Sequence, residues 1–147
     1  MDAHTTRRWV HEAARVIGEQ RQYLTDLDAA IGDADHGVNM DRGFRAAVAR
    51  VDGLSEDASP GAILRAVGAT LMSTVGGASG PLWGMAFRRA GQHLGEIAEI
   101  HPAALAELFE QVVAAIQQLG KAQAGDKTML DALIPAAEAL RGRLTAG

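Results

Sequence analysis

Apolar residues return at roughly helical spacing in seven stretches of the chain, separated by polar or glycine-bearing connectors. Such spacing lines up apolar side chains on one face of a helix. Trp9, Ala13, Val16, Ile17 and Gln20 predict a first helix from Thr5 or Thr6 to Tyr23, with a threonine as its cap. A short second helix is expected from about Thr25 to Ile31, stopping at Gly32, and a third from Asn39 or Asp41 through Phe44, Ala47, Val48 and Val51. "SPGAILRAVGATLMSTV" opens a fourth, with Ser59 as cap and Pro60 at the first helical position. It ends in "GGASG", and Pro81 then restarts a fifth, "PLWGMAFRRAGQHLG". Pro102 begins a sixth with Gly120 just past its end. Thr128 and Asp131 have capping-box spacing, with Asp in place of the usual Glu, and open a seventh to about Arg143 that Pro135 should kink. No strand pattern competes, so the expectation is an all-α fold in a single domain over residues 1–147. Short connectors favour antiparallel neighbours in an up-and-down bundle.

Composition sharpens this picture. Hydrophobic residues make up 48% of the 147 positions but aromatics only 4%, so the core is built mainly from Ala, Leu, Val and Ile, which suits close helix packing. A net charge of −4 offers no broad basic face, which argues against nucleic acid and anionic membranes as partners. Cysteine is absent, which removes disulfides, thiolate nucleophiles and cysteine-based zinc sites. The first twenty residues carry charge throughout rather than the apolar core of a signal peptide, and no apolar run is long enough to span a bilayer. A soluble, cytoplasmic protein is expected.

The candidate chemistry lies in three glycine-bearing connectors, "IGDADHGVN", "VGGASGP" and "LGKAQAGDKT". Alternate connectors of an up-and-down bundle share an end, so the three could meet on one rim. Asp28, Asp33 and Asp35 put three carboxylates near the C-terminal end of the second helix, whose dipole disfavours them without a cation. Hard oxygen ligands without cysteine point to Mg²⁺ or Ca²⁺. An EF-hand fails on position: counting from Asp33, the required glycine is Val38 and the closing glutamate is Phe44. The competing reading is a solvated acidic turn of helix-capping aspartates.

In "GGASGP", Gly76, Gly77 and Gly80 let the backbone approach an anion, Ser79 offers a hydroxyl, and a helix start points free N–H groups at the same place. The pattern is neither a Walker A loop nor a dinucleotide fingerprint. A tight interhelical turn is the simpler alternative. The third connector adds Gly120, Gly125, Lys121, Lys127, Thr128 and Met129; its lysines could be merely solvated and Met129 could be core. Together these features suggest a Mg²⁺–nucleotide site, with Asp28, Asp33 and Asp35 on metal and His36, Asn39 and Ser79 on phosphates. Phosphoryl transfer depends on charge neutralisation and alignment more than on a covalent residue, and no catalytic triad is evident. His4, His11, His93 and His101 lack metal-ligand spacing and read as surface or capping residues.

"YLTDLDAAIGDADHGVNMDRGF", "VGGASGPLWGMAF" and "GKAQAGDKTMLDALIPAAEAL" resemble, in order and over nearly the whole chain, the DhaL family, the ADP-binding L subunits of phosphotransferase-system-dependent dihydroxyacetone kinases. The resemblance implies an antiparallel barrel of eight amphipathic helices with a nucleotide at one rim. It implies that ADP stays bound, is phosphorylated by a phosphoryl-carrier subunit of the phosphotransferase system, and as ATP passes its γ-phosphoryl group to dihydroxyacetone on a substrate-binding subunit. Carried over by motif, Asp28, Asp33 and Asp35 match ligands of two Mg²⁺ ions. The nucleotide contacts fall on His36, Gly37, Val38, Asn39, Ala78, Ser79, Gly120 and Met129, with Thr128 and Leu82 beside the same pocket.

The family pattern continues for roughly sixty residues beyond the last helix, including a loop that closes over the nucleotide. This sequence ends at Gly147, so the expectation is a shortened member lacking the last helices, with apolar faces that a homodimer or swapped assembly could cover. Two alternatives follow: a non-catalytic, nucleotide-dependent interaction protein, or the nucleotide domain of an ATP-dependent dihydroxyacetone kinase. A chain starting at Met1 favours the relay subunit over the second.

Overall fold

The computed structural model describes residues 1–145, and its regular structure is helical apart from an isolated bridge between Asp2 and Glu99. The seven helices are α1 (Ala3–Glu19), α2 (Arg21–Asp28), α3 (His36–Asp52), α4 (Pro60–Thr74), α5 (Ser79–Leu94), α6 (Pro102–Gly120) and α7 (Leu130–Thr145). The all-α expectation therefore stands, with seven helices among the described residues. No described helix is long and apolar enough to cross a membrane.

Several boundaries differ from the sequence-based expectation, each for an identifiable local reason. The cap of α1 is Asp2, whose carboxylate accepts the Thr5 N–H at 2.8 Å; Thr6 is buried and its hydroxyl donates to the Asp2 carbonyl. The expected single helix to Tyr23 breaks at Gln20, two residues after Gly18, a poor helix former. There Gly18 and Arg21 both come up against the buried Asp41 of α3. The second helix consequently spans Arg21–Asp28 rather than Thr25–Ile31, and the Gly32 N–H closes the turn onto the Asp28 carbonyl at 2.6 Å. The fifth helix starts at Ser79, with Pro81 inside its first turn, where an amide hydrogen is not needed. Gly120 is the last residue of α6, and Lys121 takes the left-handed cap conformation, φ 57°. Ser59 and Pro60, and Pro102, open α4 and α6 as expected.

Helices α4 and α5 form the central pair. Going up α4 from Gly61 to Gly68 to Leu71, the nearest points of α5 run down from Gly91 to Gly84 to Gly80, so the pair is antiparallel. A Cβ at Gly68 would lie 2.6 Å from the Gly84 carbonyl oxygen, so the two backbones touch where side chains would hold them apart. On one side Ile63, Val67, Leu71 and Val75 pack with Val10, Met40, Phe44, Ala47 and Val51 of α1 and α3. On the other, Leu64, Ala90 and Leu94 meet Ile100 and Leu108, and Ala86 meets Ile116 and Leu130. This seam places the start of α5 beside the start of α3.

Candidate functional site

The second helix ends at Asp28, and the chain turns through Gly32 and the left-handed Ala34, φ 62°, to begin α3 at His36. The α3 start lies three residues earlier than Asn39 because its cap comes from outside the local sequence. Asp28 Oδ2 accepts the N–H groups of Asp35 at 3.0 Å and His36 at 3.2 Å. Those bonds, the Asp35 amide foremost, hold the Asp28 carboxyl below its ordinary range. Gly37 is buried against α2, and a Cβ there would overlap the Arg21 carbonyl oxygen. The first turn of α3 is thereby pressed onto α2.

The fold turns the three aspartates toward one another. One carboxylate oxygen from each of Asp28, Asp33 and Asp35 lies within 4.8 Å of the other two, with Asp33 and Asp35 exposed and Asp28 half-buried. Among the described residues no hydrogen bond or ion pair neutralises Asp33 or Asp35. Three convergent hard oxygens suit a divalent cation such as Mg²⁺ that keeps part of its water shell. Asp28 uses Oδ2 for the cap, and its Oδ1, which lies against Gly32, takes no N–H among the described residues.

The glycine-rich connector reaches the same rim. Ser79 Oγ lies 3.2 Å from His36 Nδ1, joining the first turns of α5 and α3. Asn39, 7% exposed, faces Gly76. Val38 and Ala78 are exposed beside it, and the Ala78 carbonyl accepts the Leu82 N–H. Gly37 and Val38 at the start of α3, and Ser79 and Gly80 at the start of α5, carry first-turn N–H groups without an intrahelical acceptor. Positive helix ends of this kind attract anions.

The third connector joins more loosely. Gly120 lies against Leu82, since a Cβ there would come 3.4 Å from Leu82 Cδ2. Leu82 and Met129 are half-buried on the apolar cluster of Ala86, Ile116 and Leu130, so Met129 is partly core. Thr128 serves its own helix: its N–H donates to Asp131 Oδ2 at 3.0 Å and its hydroxyl accepts the Leu130 N–H at 3.3 Å. The expected capping box is thus formed in one direction only. Among the described residues no hydrogen bond carries Thr128 to Asp28, Asp33, Asp35 or Ser79.

One residue escaped the sequence reading. Arg42 donates through Nη2 to Asn39 Oδ1 at 2.7 Å and, through Nε and Nη2, to the Thr74 carbonyl at 3.1 and 2.9 Å. Its position three residues after Asn39 on a helix was the available signal. The other histidines are surface groups: His11 pairs with Asp52 and His93 with Glu107. Two open grooves lie elsewhere, one of about 530 Å³ along α1 and α3 and one of about 460 Å³ between α6 and α7.

Comparison with known proteins bears on this geometry. The DAK2 domain family matches residues 30–146. The chain is 41% identical over 133 residues to the ADP-binding subunit DhaL of the PEP-dependent dihydroxyacetone kinase of Escherichia coli, covering 90% of this chain and 63% of that protein. It is 40% identical over 139 residues to the corresponding subunit of dihydroxyacetone kinase 2 of Listeria innocua, covering 92% of this chain and 63% of that one. The chain therefore spans less than two thirds of the length of either relative. The crystal structure of the dihydroxyacetone kinase of C. freundii in complex with AMP-PNP and Mg²⁺ superimposes with a TM-score of 0.77 at 26% identity, over 95% of this chain and 25% of that one. With the family model spanning most of its length, and DhaL subunits matching it at about two residues in five, the chain belongs to the DAK2 domain family.

Proposed function

We propose that this chain binds ADP with two Mg²⁺ ions at the rim where α3 and α5 begin, and serves as the nucleotide-bearing subunit of a dihydroxyacetone kinase. The observation that carries the reading is the convergence of Asp28, Asp33 and Asp35 beside two helix N-termini linked by His36 and Ser79. Asp28, Asp33 and Asp35 would hold the metal ions, which when bound neutralise phosphate charge and align the transferring group. The free N–H groups at the starts of α3 and α5, with His36, Asn39 and Ser79, would hold phosphate oxygens. Gly120, Leu82 and Met129 would border the base, and Thr128 would stand at the edge of that pocket.

In this reading a phosphoryl-carrier subunit of the phosphotransferase system donates to bound ADP, and the ATP formed passes its γ-phosphoryl group to a dihydroxyacetone hydroxyl on a substrate-binding subunit. The chain itself supplies no nucleophile for that transfer. Its residues hold and orient the phosphates. Titration calorimetry of the chain with ADP, with and without Mg²⁺, tests the binding step: Mg²⁺-dependent binding is expected, and its absence would sink the reading. Turnover is checked by adding carrier and substrate-binding subunits and following dihydroxyacetone phosphate.

A further inference from the structure

We propose that Arg42 is a positioning residue for this site: it fixes the side-chain amide of Asn39 so that the NH₂ group faces the glycine-rich connector, where a phosphate oxygen would accept from it. The proposal rests on the nucleotide reading above, but its geometry does not.

An asparagine amide can turn over and exchange its oxygen and nitrogen, and contacts alone decide which way it sits. Here the contact is a guanidinium, which carries only donors. Since Arg42 Nη2 stands 2.7 Å from the amide, it is the oxygen that faces Arg42. The nitrogen is then the amide atom nearest Gly76: a Cβ added there would lie 3.4 Å from Nδ2 and 3.8 Å from Oδ1. Among the described residues no acceptor takes the Nδ2 hydrogens, yet no sealed side-chain nitrogen or oxygen there lacks a partner. A residue only 7% exposed therefore keeps both amide N–H donors unpaired and unsealed, on the nitrogen that lies nearest Gly76.

The same guanidinium holds the other wall. Thr74 ends α4, and its carbonyl, one of those a helix leaves without an internal partner, accepts from both Nε and Nη2 of Arg42. Val75 follows, buried, and the connector begins at Gly76. One planar fork thus registers the first turn of α3 against the point where the connector leaves α4. A lysine could reach either acceptor but could not hold both in a fixed plane.

The test is a double-mutant cycle on the full chain, read by Mg²⁺–ADP affinity in calorimetry, with thermal unfolding as the check on folding. Loss of a group that orients a binding residue typically weakens binding on the order of 10–100-fold, and that is the expectation for Arg42→Ala. If Arg42 acts through Asn39, the same change made in Asn39→Ala should alter affinity by no more than about twofold. Arg42→Lys, which keeps the charge and a donor should the alanine variant not fold, is expected between the two. A nucleotide-free readout runs beside it: the Asn39 side-chain amide signals, assigned by their loss in Asn39→Ala, should shift in Arg42→Ala. Unchanged affinity, fully additive losses or unmoved amide signals each overturn the proposal. A native chain that binds no Mg²⁺–ADP overturns the nucleotide reading instead, and the amide signals still decide the role of Arg42.

Discussion

The first and third connectors use one structural device, and only one of them has anything left over. In each, a single aspartate gathers backbone N–H groups of a loop: Asp28 takes those of Asp35 and His36, and Asp131 takes those of Gly125 at 2.6 Å and Thr128 at 3.0 Å. Both carboxyls are held below their ordinary range by these bonds. Asp131, however, uses both oxygens on the loop, and its neighbours are Asp126, which accepts the Gln123 N–H, and Lys127. Asp28 uses one oxygen and stands beside two further carboxylates that take no hydrogen bond or ion pair among the described residues. A carboxylate fully occupied by N–H groups is explained by the loop it closes. Three that converge with oxygens left free are not explained by the loop, and they are the oxygens the proposed metal site would use.

The comparison breaks most sharply at Asp33 and Asp35. On the proposed reading, Asp33→Ala or Asp35→Ala removes a direct metal ligand and should weaken Mg²⁺-dependent ADP binding by more than the roughly 10–100-fold typical of losing an orienting partner. Without Mg²⁺, Tm should stay level or rise slightly, since a like charge is removed and no hydrogen bond is lost. Calorimetry and a thermal melt on the same sample check both halves. ADP affinity that does not change would remove these residues from the site.

Asp131→Asn should behave in the opposite sense. It weakens the bonds that close the third connector and start α7, so Tm falls by a few degrees while Mg²⁺–ADP affinity changes much less than in the Asp33 variant. Asp28→Asn lies between: it weakens the α3 cap and, on the proposed reading, also loses a metal oxygen, so both readouts should fall. A large affinity loss in Asp131→Asn with an unchanged Tm would erase the distinction between the connectors.

A pH series separates the same two roles by a smaller effect. The folded-state pKa of Asp131 lies below the unfolded value, which is close to the ordinary 3.8. The unfolded chain therefore binds more protons in that window, and stability declines as pH falls. The contribution of Asp131 is fully present above the unfolded value and is lost as pH drops through the folded one. The Tm gap between the native chain and Asp131→Asn should accordingly be constant near neutrality and close at the acid end. The same sign holds for Asp28, whose carboxyl is lowered for the same reason.

What could be read from sequence divides along the same lines. The starts of α4 and α6 were legible because Ser59–Pro60 and Pro102 signal a helix within a residue or two of it. The start of α3 was not, because its cap is eight residues upstream on another helix, and local rules favoured Asn39 or Asp41. The acidic cluster could be seen as a concentration of charge, but its convergence depends on the left-handed turn at Ala34. The meeting of His36 with Ser79 depends on α4 and α5 packing backbone to backbone through Gly68 and Gly84, glycines that by propensity alone weaken a helix. Arg42 shows the same limit, since its second acceptor, Thr74, is 32 residues away in sequence.

The smallest expected effect is the most discriminating for the third connector. Gly120 closes α6 with no positive φ, so alanine fits its backbone, and the change from glycine should stabilise the helix by roughly 0.5–1 kcal/mol, less at a terminus than in the interior. The new methyl would stand 3.4 Å from Leu82 Cδ2, ordinary contact that displaces nothing. In the free protein Gly120→Ala should therefore raise Tm slightly. If Gly120 borders the nucleotide, the same methyl occupies space the base needs, and ADP affinity should fall a few-fold while Tm rises. Stability and affinity moving in opposite directions cannot come from a general loosening of the fold. A rise in Tm with unchanged affinity would leave the third connector a structural loop like the one Asp131 closes, and would confine the nucleotide contacts to the first two.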